Sequence, residues 1–361
     1  MNNKRTCLYD KHVALGALIA PFAGFDMPIQ YSGITEEHNA VRGHCGVFDV
    51  SHMGEVLVTG SEAEKYINHI FTNDVRGLPA GKVLYGMMCY PDGGVVDDTC
   101  ICKLEDQVFL MTINASNIDK DIAWIEKNAA GFDVVIKNKS ENYGQLALQG
   151  PEAEARIESV LGISTKDLNF YEVRQVKTDG EVIIVSRTGY TGEDGFEIYG
   201  SPKYINEAWD KLIAAGITPC GLGCRDTLRF EVGLPLYGNE LSDKISPVMA
   251  GLSMFVKLDK EEFIGKDALQ KQKAEGVSQR LRGIVLEGNA IPRHGYKVMK
   301  DGKEVGVVTT GYRLISTPKS CAVALVDASV QMGDKLEIQI RKKSFPGIVV
   351  KKKFYDKHYK K

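Results

Sequence analysis

Two stretches of the chain repeat the same alternation of apolar and polar positions. "EVLVTGSEAEKYINHIF" (Glu55 to Phe71) and "QLALQGPEAEARIESVL" (Gln145 to Leu161) align without a gap. Each reads as a strand of period two, a glycine, a Glu-Ala-Glu segment and then a helix of period 3.6. In the first copy Ser61 and Glu64 have the spacing of a capping box. In the second, Pro151 suits a first helical position and Gly162 suits the stop. A further helix is predicted after each copy. In the first it spans 117–130, with Ile118, Ile122, Ile125 and Ala129 on one face and Gly131 as terminator. In the second it spans 202–215, with Ile205, Ala208, Trp209 and Leu212 inward, Ser201 as cap and Gly216 as stop. Two strand–helix–strand–strand–helix units predict a duplicated α+β fold.

The texture changes near Lys273. "QKQKAEGVSQR" is polar throughout and reads as a linker. Short alternating segments follow: "LRGIVLEG", "EVGVVTTGY", "CAVALVD", "KLEIQI" and "FPGIVVKK". Asp301-Gly302 marks a hairpin turn. Strands at this spacing with no helix between them predict a small all-β barrel or sandwich.

Composition narrows the class. The chain has 361 residues, 43% hydrophobic and 25% charged, enough for about two or three soluble domains. No apolar run approaches the ~20 residues of a membrane span. The start, "MNNKRTCLYD", lacks a signal peptide's apolar core, so a cytoplasmic protein is expected. Eight cysteines fall at 7, 45, 89, 100, 102, 220, 224 and 321 without framework spacing. "CGLGC" is not a CxxC motif, and reduced thiols without a metal are expected. The net charge of −2 is uneven. Lys335 to Lys361 carries ten Lys/Arg and two Asp/Glu. Such a basic tail can attract an anionic cofactor, nucleic acid or an acidic protein, or can be a solvated surface. Interleaved aromatic stacking motifs for nucleic acid are missing from it.

Three stretches suggest chemistry. In "GGVVDDTC" (Gly93 to Cys100) two aspartates interrupt a strand, where carboxylates are costly to bury. Val95, Asp97 and Thr99 share one face; Val96, Asp98 and Cys100 share the other. The spacing alone leaves open a turn cap and a solvated acid. In "RTGYTGEDGFEIYG" (Arg187 to Gly200) three glycines alternate with polar groups without forming a phosphate loop. The turn would aim Tyr190, Glu193, Asp194 and Glu197. A carboxylate there can accept two hydrogen bonds from an aminopyrimidine edge. In "GLGCRDTLRFEVGLPLYGNEL" (Gly221 to Leu241), Arg225 and Arg229 share a helix face. Arginine can clamp a carboxylate, or can pair internally with Asp226 or Glu231.

These stretches, in this order, resemble the aminomethyltransferases of the glycine cleavage system, the T-protein family. "PFAGFDMPIQY" (Pro21 to Tyr31), "GVFDVSHMGE" (Gly46 to Glu55) and "FTNDV" (Phe71 to Val75) extend the resemblance over nearly the whole chain. It implies two interleaved ferredoxin-like folate-binding domains, 1–52 with 138–228 and 53–137 with 229–273. A C-terminal barrel, 274–361, completes a cloverleaf around a central channel. It also implies transfer of a methylene carbon from the S-aminomethyl-dihydrolipoyl arm of H-protein to tetrahydrofolate, with release of ammonia. By the same match Asp98 is the catalytic carboxylate and Asp97 structural. Glu197 faces the pterin's amino edge; Tyr85, Asn114 and Tyr190 line the pterin pocket. Arg225, with Arg229 beside it, meets the folate's glutamate end. H-protein is the implied partner, with no nucleic acid and no membrane.

The resemblance is imperfect at Cys100 and Cys102, where aliphatic residues are expected, and at "GYRLISTP" (Gly311 to Pro318), a loose version of a Ser-Pro-rich turn. Non-enzymatic folate proteins of iron–sulfur assembly share the fold and are the alternative. Their Lys-Gly-Cys-Tyr-x-Gly-Gln-Glu signature is replaced here by the arginine segment. The folate halves of dimethylglycine- or sarcosine-oxidising flavoproteins would need an attached flavin domain with a dinucleotide fingerprint.

Overall fold

Both copies of the repeat fold alike, for the same backbone reason. In the computed structural model, which describes residues 3–178 and 180–359, strand Gly54–Thr59 leads to helix Ala63–Ile70, and strand Gly144–Gln149 to helix Ala153–Leu161. The linking glycines have φ of 131° at Gly60 and 134° at Gly150. A Cβ would lie 2.3 Å from the Asp133 carbonyl oxygen at Gly60 and 2.4 Å from the His44 oxygen at Gly150. Those same oxygens accept hydrogen bonds from the Glu62 and Glu152 N–H groups. Only glycine permits both the conformation and the approach.

The helix starts differ from expectation. Ser61 donates to the Asp133 carboxylate instead of capping. Glu64 accepts from Lys103 and from the Gly77 N–H. Pro151 lies in the turn before the first helical residue, Ala153. Gly162 does stop that helix, at φ 71°. Helix Pro202–Ala214 is as read: Ser201 accepts from the Tyr204 N–H, and Ile205, Ala208, Trp209 and Leu212 are buried.

The chain divides into two compact units. The first takes the residues up to Gly86, Thr99–Leu228 and the end of the chain from Lys357. Its six-stranded sheet has the order Val173–Lys177, Val182–Ser186, Gly195–Gly200, Gly144–Gln149, Gly46–Asp49, Thr218–Cys220. All neighbours are antiparallel except the last pair. Helices Ala153–Leu161 and Pro202–Ala214 cover one face over Leu146, Leu148, Val185, Phe196 and Ile198. On the other face Ile184 and Tyr199 pack against Val83, Cys102 and Leu110. The latter three belong to a five-stranded sheet ordered Lys82–Cys89, Val95–Glu105, Val108–Ile113, Gly54–Thr59, Val135–Asn138.

The second unit comprises Met87–Asp98 and Arg229–Asp356. Six strands close a barrel in the order Gln279–Leu286, Ser320–Asp327, Lys303–Arg313, Lys297–Lys300, Lys335–Ile340, Lys343–Val350. Ile284, Val298, Val308, Ala324, Ile338 and Val349 fill it. Asp301 (φ 50°) and Gly302 (φ 75°) make the expected turn. The segment read as a linker is mostly helix, Lys266–Glu275, with Leu269 buried. Strand Lys297–Lys300 was not expected from the sequence. Among the described residues no helix is long and apolar enough to cross a membrane.

Candidate functional site

The two aspartates stand where the turn before them directs. Tyr90 and Gly93–Gly94 exchange backbone hydrogen bonds, and the Asp92 carboxylate accepts from the Gly94 N–H at 3.0 Å. Gly93 has φ 88°, and a Cβ on Gly94 would lie 2.0 Å from the Asp243 carbonyl oxygen. Strand Val95–Glu105 then alternates as expected: Asp97 is fully buried and Asp98 half-buried. Both belong to the second unit.

In the first unit, strand Gly195–Gly200 carries Glu197 opposite Ala147. Its carboxylate accepts from Gln145 Nε2 at 3.2 Å and from the Thr188 hydroxyl. The glycines of the preceding turn make room for one side chain. A Cβ on Gly189 would sit 1.9 Å from Gln149 Oε1, and one on Gly195 2.5 Å from Gln149 Nε2. Gln149 in turn holds the Thr188 carbonyl and the Thr191 hydroxyl. Two of the acids expected to be aimed outward serve the turn itself. Asp194 pairs with Arg187, and Glu193 with Arg42 at 2.9 Å. The end of the chain braces the same turn. The His358 N–H donates to the Gly192 carbonyl, and Tyr359 stacks on Phe170 with ring centroids 4.3 Å apart.

Arg225, on helix Leu222–Glu231, lies with its guanidinium carbon 4.7 Å from the centre of the Tyr190 ring. Burial depresses its pKa, and the neighbouring Glu197 charge opposes that shift. Its Nη1 is sealed from solvent with no hydrogen-bond partner among the described residues. A buried guanidinium N–H left unpaired is costly, so this is a donor waiting for an acceptor. Gln145 Oε1 and His52 Nδ1 are likewise sealed and unpartnered. His52 is 3% exposed. Burial, reinforced by the Arg225 charge and opposed by Asp49, pushes its pKa down to about 4. It is therefore a neutral imidazole at neutral pH, with one donor and one acceptor nitrogen. Glu55, three residues further on, is buried, and burial holds its carboxyl well above the ordinary range.

The other expected residues are more scattered. Asn114, half-buried, ends strand Val108–Ile113, and its carbonyl accepts from the Asn117 N–H. Tyr85 is half-buried on strand Lys82–Cys89, its carbonyl held by Asn73. Arg229 is fully buried in the second unit. It pairs with Glu240 at 2.7 Å, and Leu234 and Thr310 take further N–H groups. Glu231 accepts from the N–H groups of Ile315 and Ser316 and from the Ser316 hydroxyl, fixing the loosely matched turn. The cysteines are all free. Cys220 and Cys224 gather beside Glu37. That carboxylate already accepts backbone N–H groups from Tyr31, Gly33 and Gly221.

Sequence reasoning missed Gln145, Thr188, His52 and Glu55. The available signal was polar side chains on strands or strand ends that otherwise read as core, as in "SHMGEV" and "GQLALQ".

The GCVT N-terminal domain matches residues 8–260, and the glycine cleavage T-protein C-terminal barrel domain matches 279–356. The chain is 48% identical to the aminomethyltransferase of Lysinibacillus sphaericus over 358 residues, 98% of each chain. It is 46% identical to that of Alkaliphilus oremlandii, over 99% of each. The crystal structure of glycine cleavage system aminomethyltransferase T from Bartonella henselae superposes with a TM-score of 0.94 at 31% identity, covering 99% of both chains. An α+β portion followed by a closed barrel is thus the architecture of a known transferase class. The chain belongs to the T-protein family, the aminomethyltransferases of the glycine cleavage system.

Proposed function

We propose that the chain transfers the methylene carbon of an S-aminomethyl-dihydrolipoyl H-protein to tetrahydrofolate. The carbon loses its bonds to sulfur and to the amino nitrogen and gains bonds to two folate nitrogens. The two folate N–H protons end on ammonia and on the released thiol. The observation that carries this reading is the Arg225 cluster: an unpaired buried guanidinium N–H beside Tyr190 and a carboxylate already oriented by Gln145 and Thr188. Such a group suits a ligand with a donor-rich heterocycle at one end and a carboxylate at the other.

Glu197 accepts hydrogen bonds from the pterin's amino edge. Arg225 Nη1 donates to a carboxylate of the glutamate end, and Tyr190, Tyr85 and Asn114 line the pocket. Asp98 orients the attacking amine and stabilises the cationic carbon as ammonia leaves. Arg229, saturated by Glu240 and Thr310, acts through the framework it holds. The exposed cations Arg341, Lys342, Lys343, Lys351 and Lys353 attract the acidic H-protein, while Lys352 turns inward to the Ala250 carbonyl.

The test is the purified chain with tetrahydrofolate and aminomethylated H-protein. Ammonia and 5,10-methylenetetrahydrofolate are expected in equal amounts. Formation of neither would overturn the proposal.

A further inference from the structure

Closure of the barrel leaves a cavity at its seam. Strands Gln279–Leu286 and Lys343–Val350 pair at the seam, Gly283 against Val350. A Cβ on Gly283 would lie 2.4 Å from the Lys351 carbonyl oxygen, so the chain leaving the second strand stays pressed on the first. The result is a cavity of about 370 Å³ lined by Arg282, Lys351, Lys352 and Lys353 together with Leu252, Leu281 and Met332. Among the described residues no acidic side chain lines it.

The charge in this cavity is not neutralised from within. Lys353 pairs with Asp356. Among the described residues Arg282, Lys351 and Lys352 have no carboxylate partner. The N–H groups of Arg282 and Lys352 reach only the carbonyls of Val330 and Ala250. The Glu240 charge acts on Lys352, but that carboxylate is already bonded to Arg229 and to the hydroxyls of Thr309 and Thr310. Burial, reinforced by Arg282, pushes the Lys352 amine down to about 8. Burial and the Arg280 charge depress Arg282 in the same sense. Converging cations in a part-buried concavity repel one another until an anion enters. Apolar walls beside them would take the body of the same molecule, and the volume is in the range of small-ligand sites.

We propose that this cavity binds a small organic anion, one phosphate or carboxylate group carried on an apolar body. The site is separate from the residues assigned above to folate, and the inference does not rest on that assignment.

The experiment is calorimetric titration of the full chain at low salt with phenyl phosphate and with benzoate, and with benzylamine as the cationic counterpart. Saturable binding of one anion per chain is expected, the tighter of the two identifying the head group. Benzylamine should not bind. Arg282→Gln and, separately, Lys351→Gln should each weaken anion binding, the former at least tenfold, the range of a lost charge-assisted hydrogen bond. Melting temperatures of both variants establish that they fold. Absence of saturable anion binding, equal binding of benzylamine, or unchanged affinity in both folded variants would overturn the proposal.

Discussion

Adjacent side chains on one strand meet different environments, and Asp97 and Asp98 divide on that ground. Asp97 is sealed and Asp98 half-open. Asp98→Asn keeps the size and removes the charge, so turnover should fall by about 10²-fold or more, with a smaller change in folate affinity. Asp97→Asn should lower the melting temperature and spare turnover. The reverse pattern in steady-state kinetics would move the catalytic role to the other face. Glu197→Ala should weaken tetrahydrofolate binding by ~1.5–3 kcal/mol, the value of a charged hydrogen bond; unchanged affinity by calorimetry would remove Glu197 from the pocket. Glu55 makes a prediction about pH. Burial raises its folded pKa well above the ordinary carboxylate range. Its protonated state costs nothing below the unfolded pKa and costs progressively more stability as pH rises toward the folded value. Glu55→Gln should therefore raise the melting temperature, and by more at pH 8 than at pH 5. A gain that is equal at both pH values would show that the carboxyl ionises freely.

Elements were legible where local rules decided them. Helix Pro202–Ala214 has its cap, its proline, its apolar face and its glycine stop within one stretch, and the Ser201 hydroxyl still accepts from the Tyr204 N–H while donating to Glu181. The Asp301-Gly302 turn is equally local. Ser61 does not cap because the Glu64 N–H it would serve donates to Gln107 Oε1, 43 positions from it in sequence, while the Ser61 hydroxyl turns to Asp133. Helix Lys266–Glu275 was invisible because Leu269 is its one buried residue, too little for an apolar stripe. The same contrast holds at the site. Arg225 and Glu197 were named from the sequence, with roles taken from resemblance. Gln145, Thr188 and His52 reach their places through sheet pairing and packing that no local spacing records. The turn braced by the chain's end is such a long-range element, and it can be cut. Ending the chain at Asp356 removes the His358–Gly192 hydrogen bond and the Tyr359–Phe170 stack. Losing these, together about 1–3 kcal/mol, should speed amide hydrogen exchange across 188–195 by roughly 5–150-fold. Barrel strands should exchange as before. Unchanged protection in that turn would show that Gln149 and the ion pairs hold it alone.

At the scale of the whole molecule the charge is polarised. Lys335 to Lys361 carries a net +8, against −10 for the remaining 334 residues. Arg341, Lys342 and Lys343 cap an exposed hairpin, where like charges gain nothing from one another. Steering of an acidic partner acts on association and fades beyond a Debye length of ~8 Å at physiological salt. Replacing these three and Lys353 by Gln should raise the KM for H-protein and flatten its salt dependence, leaving the KM for tetrahydrofolate nearly unchanged. An H-protein KM that is unaltered at low salt would leave these cations as a solvated surface.

The brace from His358 and Tyr359 also sets an order of events during synthesis. The first compact unit combines residues up to Gly86 and Thr99–Leu228 with residues from Lys357 onward. Between Leu228 and Lys357 the ribosome must make the remainder of the second unit, which takes on the order of ten seconds at usual elongation rates. The turn carrying Tyr190 waits through that interval without its last support. A nascent chain that has not yet reached His358 and Tyr359 thus holds Tyr190 on a looser mount than one that has, so the wall that Tyr190 contributes is firm only after those two residues have emerged.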